Sequence, residues 1–198
     1  MVYIITGVSR GLGKAIAEIF LEGQNQVIGI GRSHAIDHPN FRFEECDLSD
    51  LDAVERCLKN EVFDVPVTLI NNAGILGEIG RMSQKESFDL NCIFDVNVKA
   101  PFRLLKNIYG AMHIKSDFTL VNISSGAANR AIPSWGGYCA SKSALNMLTE
   151  AFYLEELELG NNVKVYALAP GVIDTDMQGQ IRTTPSSVFS SVEKFKKL

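Results

Sequence analysis

The sequence predicts an α/β fold, a doubly wound parallel sheet of six or more strands between two layers of helices. Three observations lead there. Short apolar runs rich in β-branched residues alternate with longer segments of helical period. The runs are continuously apolar, as strands covered on both faces are. The residues with chemical potential fall just past the C-terminal ends of those runs, where such sheets hold ligands.

Val2 to Thr6 reads as the first strand, and Leu12 to Glu22 as a helix with Ile16, Ile19 and Phe20 on one side and Gly23 as its stop. Gln26 to Ile30 and the weaker Phe41 to Glu45 are the next strands. Asp50 opens a helix with Leu51, Val54 and Leu58 in phase. Val67 to Ile70 is a fourth strand. Asn91 to His113 has a long helical pattern interrupted by Pro101, which predicts a kink or restart. Phe118 to Ile123 is a fifth strand, Tyr138 to Leu159 the strongest helix, and Val163 to Leu168 a sixth strand ended by Pro170-Gly171.

Composition narrows the function classes. With 198 residues, 46% hydrophobic and 21% charged, the chain over 1–198 suits one domain, or at most two small ones, and is too apolar for disorder. A net charge of −4 without a basic cluster predicts no nucleic-acid partner. No apolar run approaches the ~18 residues of a membrane span, and Gly7 interrupts the apolar start too early for a secretory signal. Cys46, Cys57, Cys92 and Cys139 are scattered, which reads as free thiols of a cytoplasmic protein without a metal site.

Thr6-Gly7-Val8-Ser9-Arg10-Gly11-Leu12-Gly13 joins the first strand to the first helix. A helix N-terminus offers unpaired N–H groups and partial positive charge to a phosphate. Gly7 permits the tight turn, Gly11 a close approach of backbone to pyrophosphate, and Gly13 helix–strand packing. No Gly-Lys-Ser/Thr follows, which excludes a Walker loop. The second strand ends Ile30-Gly31-Arg32-Ser33, without the carboxylate that would bond a ribose 2′-hydroxyl. Arg32, with Arg10, suits a 2′-phosphate instead and predicts NADP over NAD.

At the chemical end, Tyr138 and Lys142 are spaced i,i+4 on one helical face. A phenol with pKa near 10 is a poor acid at neutral pH, and a nearby cation would lower it. Ser125, at the end of the fifth strand, is placed to hydrogen-bond a carbonyl oxygen and the alkoxide it becomes. Ser124 reads as a turn former. Asn97, a mediocre helix residue inside the long pattern, suggests a side chain that holds a water connected to Lys142.

These residues resemble the short-chain dehydrogenase/reductases over nearly the whole chain. The matching pieces occur in family order: Thr6-Gly7-x-x-x-Gly11-x-Gly13, Asp47-Leu48, Asn71-Asn72-Ala73-Gly74, Asn97, Ser125, Tyr138-x-x-x-Lys142 and Pro170-Gly171-Val172-Ile173-Asp174-Thr175. The resemblance implies a Rossmann-type fold, an NADP(H) cofactor and reversible reduction of a small-molecule carbonyl. It implies Tyr138 as general acid, Ser125 as the carbonyl-orienting hydroxyl, Lys142 as the ribose-bonding residue and Asn97 as a proton-relay member. The implied cofactor contacts are Gly7, Ser9, Arg10, Gly11, Leu12 and Gly13 in the loop, then Arg32. They continue through Asp47 and Leu48 at the adenine, Asn72, Ala73 and Gly74 at its ribose, Tyr138 and Lys142, and Pro170, Gly171, Ile173 and Thr175 toward the carboxamide.

The stretch from Ser124 through Trp135-Gly136-Gly137-Tyr138, with Asp174-Thr175-Asp176-Met177-Gln178 and Gln180-Ile181-Arg182, resembles the benzil reductase branch, related to sepiapterin reductases. That resemblance implies an aromatic or vicinal diketone, with Trp135 and Met177 as substrate contacts. Reduction of 3-oxoacyl thioesters and a silent NADP-binding regulatory role remain alternatives. A homodimer or homotetramer through the two long helices is also implied. Against the family the chain is short at one end. The segment 176–198 is expected to be a reduced substrate lid with one short helix at Val192 and Phe195, leaving the sixth strand as an edge for further chain or a partner to cover.

Overall fold

A computed structural model describes residues 1–84 and 90–197. Six strands form one wholly parallel sheet: β1 (Val2–Thr6), β2 (Gln26–Gly31), β3 (Phe41–Glu45), β4 (Val67–Asn71), β5 (Phe118–Ile123) and β6 (Lys164–Leu168), in the spatial order β3-β2-β1-β4-β5-β6. The chain winds outward from β1 in both directions, so the switch point lies between β1 and β4. The register sets Thr6 beside Ile30, Asn71 beside Asn122 and Ile123 beside Leu168. The C-terminal ends of the central strands therefore finish at one level, which becomes the floor of a cleft.

Position in the sheet explains the strand patterns. Central β4 is buried at all five residues. Edge strand β3 is half exposed, and on β6 Tyr166 and Leu168 are 53% and 50% exposed. Among the described residues no further strand pairs with β6.

The helices are α1 (Gly11–Glu22), α2 (Leu51–Arg56), α3 (Asn91–Phe94), α4 (Ala100–Gly110), α5 (Gly136–Glu158), α6 (Asp176–Arg182) and α7 (Val192–Lys196). One core cluster lies under α2 and α4, with Leu104, Ile108, Phe118 and Leu120 fully enclosed. A second, around Ile5, Val8 and Ala17, seats α1.

Two sequence expectations are corrected here. The helical pattern over Asn91 to His113, with its kink or restart expected at Pro101, breaks ahead of the proline: Asp95–Lys99 forms a π-helical turn between α3 and α4. Pro101 sits in the first turn of α4, where its missing N–H is harmless, and the wide turn absorbs the break. The C-terminal segment holds two helices rather than one. Ile181, Phe189 and Val192 are buried against Leu76, Ile93, Trp135 and Tyr138. The segment is pinned by Ser134 Oγ to the Val188 carbonyl (2.6 Å), Gln180 Nε2 to the Gly77 carbonyl (3.1 Å) and Arg182 Nη1 to Asp174 (2.8 Å).

Candidate active site

The strand ends and the loops that follow them enclose a cleft of about 680 Å3. One wall is the β1–α1 loop. Gly7 turns it with φ +75°, and its N–H donates to the Ile30 carbonyl (2.8 Å). Asn72 braces it from β4, its Nδ2 donating to the Thr6 carbonyl (3.0 Å) and the Gly7 carbonyl (3.3 Å). The Thr6 hydroxyl oxygen in turn accepts from the N–H groups of Asn72 and Ala73, both at 3.0 Å. A Cβ on Gly13 would lie 2.3 Å from both the Gly7 oxygen and Asn72 Nδ2. Gly13 thus makes room for the loop's own carbonyl and its brace rather than for the strand. Arg10 occupies the N-cap of α1 and supplies no side-chain cap, and the first turn carries no acidic residue. This cradle suits an anionic pyrophosphate.

Arg32, Ser33, Cys46, Asp47, Leu48 and Ser49 form the neighbouring wall. Asp47 Oδ1 accepts from the Ser49 N–H (2.9 Å) and hydroxyl (2.7 Å). Those bonds, with the Arg32 charge beside them, hold the Asp47 carboxyl below its ordinary value. Arg10 reaches across the mouth to Asp176 on α6 (Nε to Oδ2, 3.0 Å). Both side chains are about 70% exposed, so the pair contributes little stability. The opposite wall runs from Pro170 through Ile173 and Thr175 to Met177. Thr175 comes so near the phosphate loop that a Cβ on Gly11 would lie 3.3 Å from its Cγ2.

Ser125, Tyr138 and Lys142 share the far end of this cleft. The Ser125 oxygen accepts from the Ala127 N–H (3.1 Å) and so caps the 3-10 turn Gly126–Ala128. Burial raises the Tyr138 phenol above its ordinary value, and the hydrogen bond with Ser125 draws it back. Lys142 is 4% exposed, and its Nζ donates to the Ile123 carbonyl (2.8 Å). Its desolvated ammonium is pushed down to about 8. Lys142 Nζ lies 5.9 Å from the Tyr138 ring centre. Among the chain's own groups, the Lys142 ammonium is directed to a backbone carbonyl, and the Ser125 hydrogen bond is what lowers Tyr138.

Asn97 does not line the cleft. It is fully buried in the π turn, where Oδ1 accepts from the Ile75 N–H (2.8 Å) and Nδ2 donates to the Ile75 carbonyl (2.9 Å) and Ser141 Oγ (3.0 Å). Both amide hydrogens are engaged, so the side chain is a brace rather than the expected water holder. Pro101, four residues on, has no N–H to give the Asn97 carbonyl, which leaves that backbone oxygen without its α-helical partner. Gly74 is where the parts meet: a Cβ there would lie 3.3 Å from Asn97 Oδ1 and 3.4 Å from Lys142 Nζ.

Asn71 Nδ2 on β4 donates to Asn122 Oδ1 on β5 (2.8 Å), which ties the two central strands. Sequence reading missed the ties between α5 and β5: Asn122 Nδ2 donates to Thr149 Oγ1 (2.8 Å) and Ser124 Oγ to Asn146 Oδ1 (2.5 Å). Ser124 is thus a strand–helix tie rather than a turn former. The available signal was the run Tyr138, Lys142, Asn146 and Thr149, spaced four, four and three along one helical face. The contribution of Ile181 and Phe195 to the cleft was also missed. Trp135, 6% exposed, stacks on Phe189 (ring centres 5.2 Å) and meets Tyr138 edge-on (5.9 Å).

The family model described as short chain dehydrogenase matches residues 1–186. The chain belongs to that family. It is 35% identical to a benzil reductase ((S)-benzoin forming) of Bacillus cereus, over 97% of this chain and 83% of the relative. It is 30% identical to an NADPH-dependent pterin aldehyde reductase of Arabidopsis thaliana, over 88% of this chain and 75% of the relative. A solved short chain dehydrogenase/reductase of Saccharomyces cerevisiae superimposes with a TM-score of 0.83 at 28% identity, covering 100% of this chain and 81% of that one. An oxidoreductase fold with a nicotinamide cofactor site follows from membership. Among the described residues no helix is long and apolar enough to cross a membrane.

Proposed function

We propose that the protein is an NADP(H)-dependent reductase of small ketones and aldehydes, with an aromatic or vicinal diketone as the candidate substrate. The observation that carries this reading is the convergence of Ser125, Tyr138 and Lys142 at one end of a cleft whose other end presents Arg32 and a glycine-lined phosphate cradle. The cradle fits a dinucleotide: the room left by Gly13 is already taken by the Gly7 carbonyl, and the α1 N-terminus carries no side-chain cap. Gly7, Ser9, Gly11 and Leu12 would hold the pyrophosphate, Arg32 and Arg10 the 2′-phosphate, Asp47 and Leu48 the adenine, and Ile173 and Thr175 the carboxamide. When bound, the reduced nicotinamide supplies the hydride.

The chain's own part is orientation and proton transfer. Ser125 accepts from Ala127, and the hydroxyl hydrogen that it shares with Tyr138 would turn to a carbonyl oxygen when substrate binds. Tyr138, kept protonated by burial, gives its proton to the oxygen as negative charge develops there. Lys142, poised near neutrality and seated between Ile123 and Gly74, is suited to return a proton through a ribose hydroxyl. Water held on the Asn97 backbone carbonyl completes the relay, with the side chain as its brace.

Leu76, Val96, Ile181 and Phe195 make the walls near Tyr138 apolar, which favours an uncharged aromatic partner. The likeness to benzil reductases supports the same choice. Met147, Leu148, Leu154 and Leu157 are 42–66% exposed on α5, consistent with a homo-oligomer assembled through α4 and α5. Tyr138→Phe should still bind NADPH and reduce benzil at least a hundredfold more slowly. Near-normal turnover by that variant would refute the assignment.

A further inference from the structure

Asp176 opens α6, the helix whose Met177, Gln178 and Ile181 form part of the cleft wall. Its carboxylate holds Arg10 of the phosphate loop, with Nε and Oδ2 3.0 Å apart. The pair spans the mouth of the cleft from the β1–α1 loop to α6. Beside it the two walls already touch, since a Cβ on Gly11 would lie 3.3 Å from Thr175 Cγ2. Neither partner is committed elsewhere. Arg10 stands at the N-cap of α1 without capping it. Among the described residues no second ion pair holds Arg10 or Asp176. Asp174, two residues earlier, differs: it pairs with Arg182 inside its own segment (2.8 Å) and bridges nothing.

Arg10 thus has two anions to choose between. One is the Asp176 carboxylate, with a single charge. The other is the 2′-phosphate assigned above to Arg10 and Arg32, whose charge is about −1.5 to −2 at neutral pH and whose oxygens accept from a guanidinium in pairs. NAD(H) brings no second anion, so with it Arg10 has no reason to leave Asp176.

We propose that Asp176 is a cofactor-specificity residue: its carboxylate competes with the 2′-phosphate of NADP(H) for Arg10, so that NADP(H), and not NAD(H), unlatches α6 from the phosphate loop. The proposal rests on the assignment of Arg10 to that phosphate. Both side chains of the pair are about 70% exposed, so the latch is weak and the competition is worth about two- to fivefold in affinity. Its release reaches the substrate end, because Met177, Gln178 and Ile181 travel with α6. Trp135 reports on that end. It is the chain's only tryptophan and packs on Phe189 and Phe195 (ring centres 5.2 and 5.3 Å). The Phe195 carbonyl in turn accepts from Arg182 Nε on α6 (3.1 Å).

The test measures dissociation constants of NADPH and NADH for the full chain and for Asp176→Asn, Asp174→Asn, Arg10→Ala and the Arg10→Ala/Asp176→Asn double variant. Asp176→Asn should bind NADPH about two- to fivefold more tightly and NADH as the parent does. Asp174→Asn removes the same charge without a latch and should shift both cofactors alike and by less. With Arg10→Ala in place, Asp176→Asn should add nothing beyond that baseline. Adenosine 2′,5′-bisphosphate, but not AMP, should shift the Trp135 emission of the parent, and Asp176→Asn should show the shifted emission before any ligand is added. Weaker NADPH binding by Asp176→Asn would make the pair a clamp over bound cofactor and overturn the proposal. An equal gain for NADPH and NADH, or a gain that survives Arg10→Ala, overturns it as well. If Arg10→Ala weakens NADPH relative to NADH while Asp176→Asn changes neither, the competition falls and the cofactor reading stands. If Arg10→Ala and Arg32→Asp treat both cofactors alike, the cofactor reading falls and takes the proposal with it.

Discussion

Replacing Gly13 by alanine sets two opposed effects against each other. In a helix interior, alanine is favoured over glycine by about 1 kcal/mol. At Gly13, in the first turn of α1, the new Cβ would lie 2.3 Å from the Gly7 carbonyl oxygen and from Asn72 Nδ2. Ordinary contacts of that kind are about 1 Å longer. The carbonyl is held in place, because Gly7 is fixed at φ +75° and Asn72 donates to it. Overpacking against such a site costs up to about 3 kcal/mol. The net loss is therefore about 2 kcal/mol, and about 2–4 °C per kcal/mol at this size predicts a melting temperature lower by about 4–8 °C. Gly179, in α6, is the control, since nothing lies within 4 Å of a Cβ there. Gly179→Ala should raise the melting temperature by up to about 4 °C. Thermal unfolding followed by circular dichroism, with NADPH titration of both variants, reads the outcome. A Gly13→Ala protein as stable as the parent, with NADPH affinity intact, would refute the claim that this glycine exists for the loop carbonyl.

Three further outcomes follow from the same structure. Ser124→Ala and Asn146→Ala should each lower kcat about tenfold with little change in NADPH affinity. The double variant should be no worse than either single one, and additive losses would show that the 2.5 Å bond does not couple them. Arg32→Asp should weaken NADPH binding more than tenfold relative to NADH, whereas equal loss for both would make Arg32 structural. Lys142 in the folded chain sits at about 8, below its unfolded value, so the unfolded chain binds more protons between about pH 8 and 10.5 and stability from this group rises across that window. The melting temperature of Lys142→Met minus that of the parent should accordingly fall between pH 7 and pH 10, and a constant difference would remove burial as the cause.

The succession of strands and helices along the chain, the phosphate loop and the Ser125, Tyr138 and Lys142 candidates were legible in the sequence because each depends on local pattern: apolar runs, glycine spacing, and an i,i+4 pair on one helix. The division of the long helix was half legible. Pro101 announced a break, but the π turn was decided by where Asn97 had to reach, namely the Ile75 backbone and Ser141. The lid was least legible. Its polar, serine-rich sequence carries few anchors, and Phe189, Val192 and Ile181 count as anchors only once Trp135 and Ile93 stand opposite them.

By itself, then, the sequence determined which elements form, in what order, and which residue types stand at the strand ends, since those follow from nearest-neighbour periodicity and backbone chemistry. Tertiary structure alone decided which groups share a hydrogen bond: Ser125 with the Tyr138 phenol, Lys142 with the Ile123 carbonyl, and Ser124 with Asn146. The reason is physical. Burial and hydrogen-bond geometry depend on distances between segments far apart in the chain, and no local pattern encodes a distance.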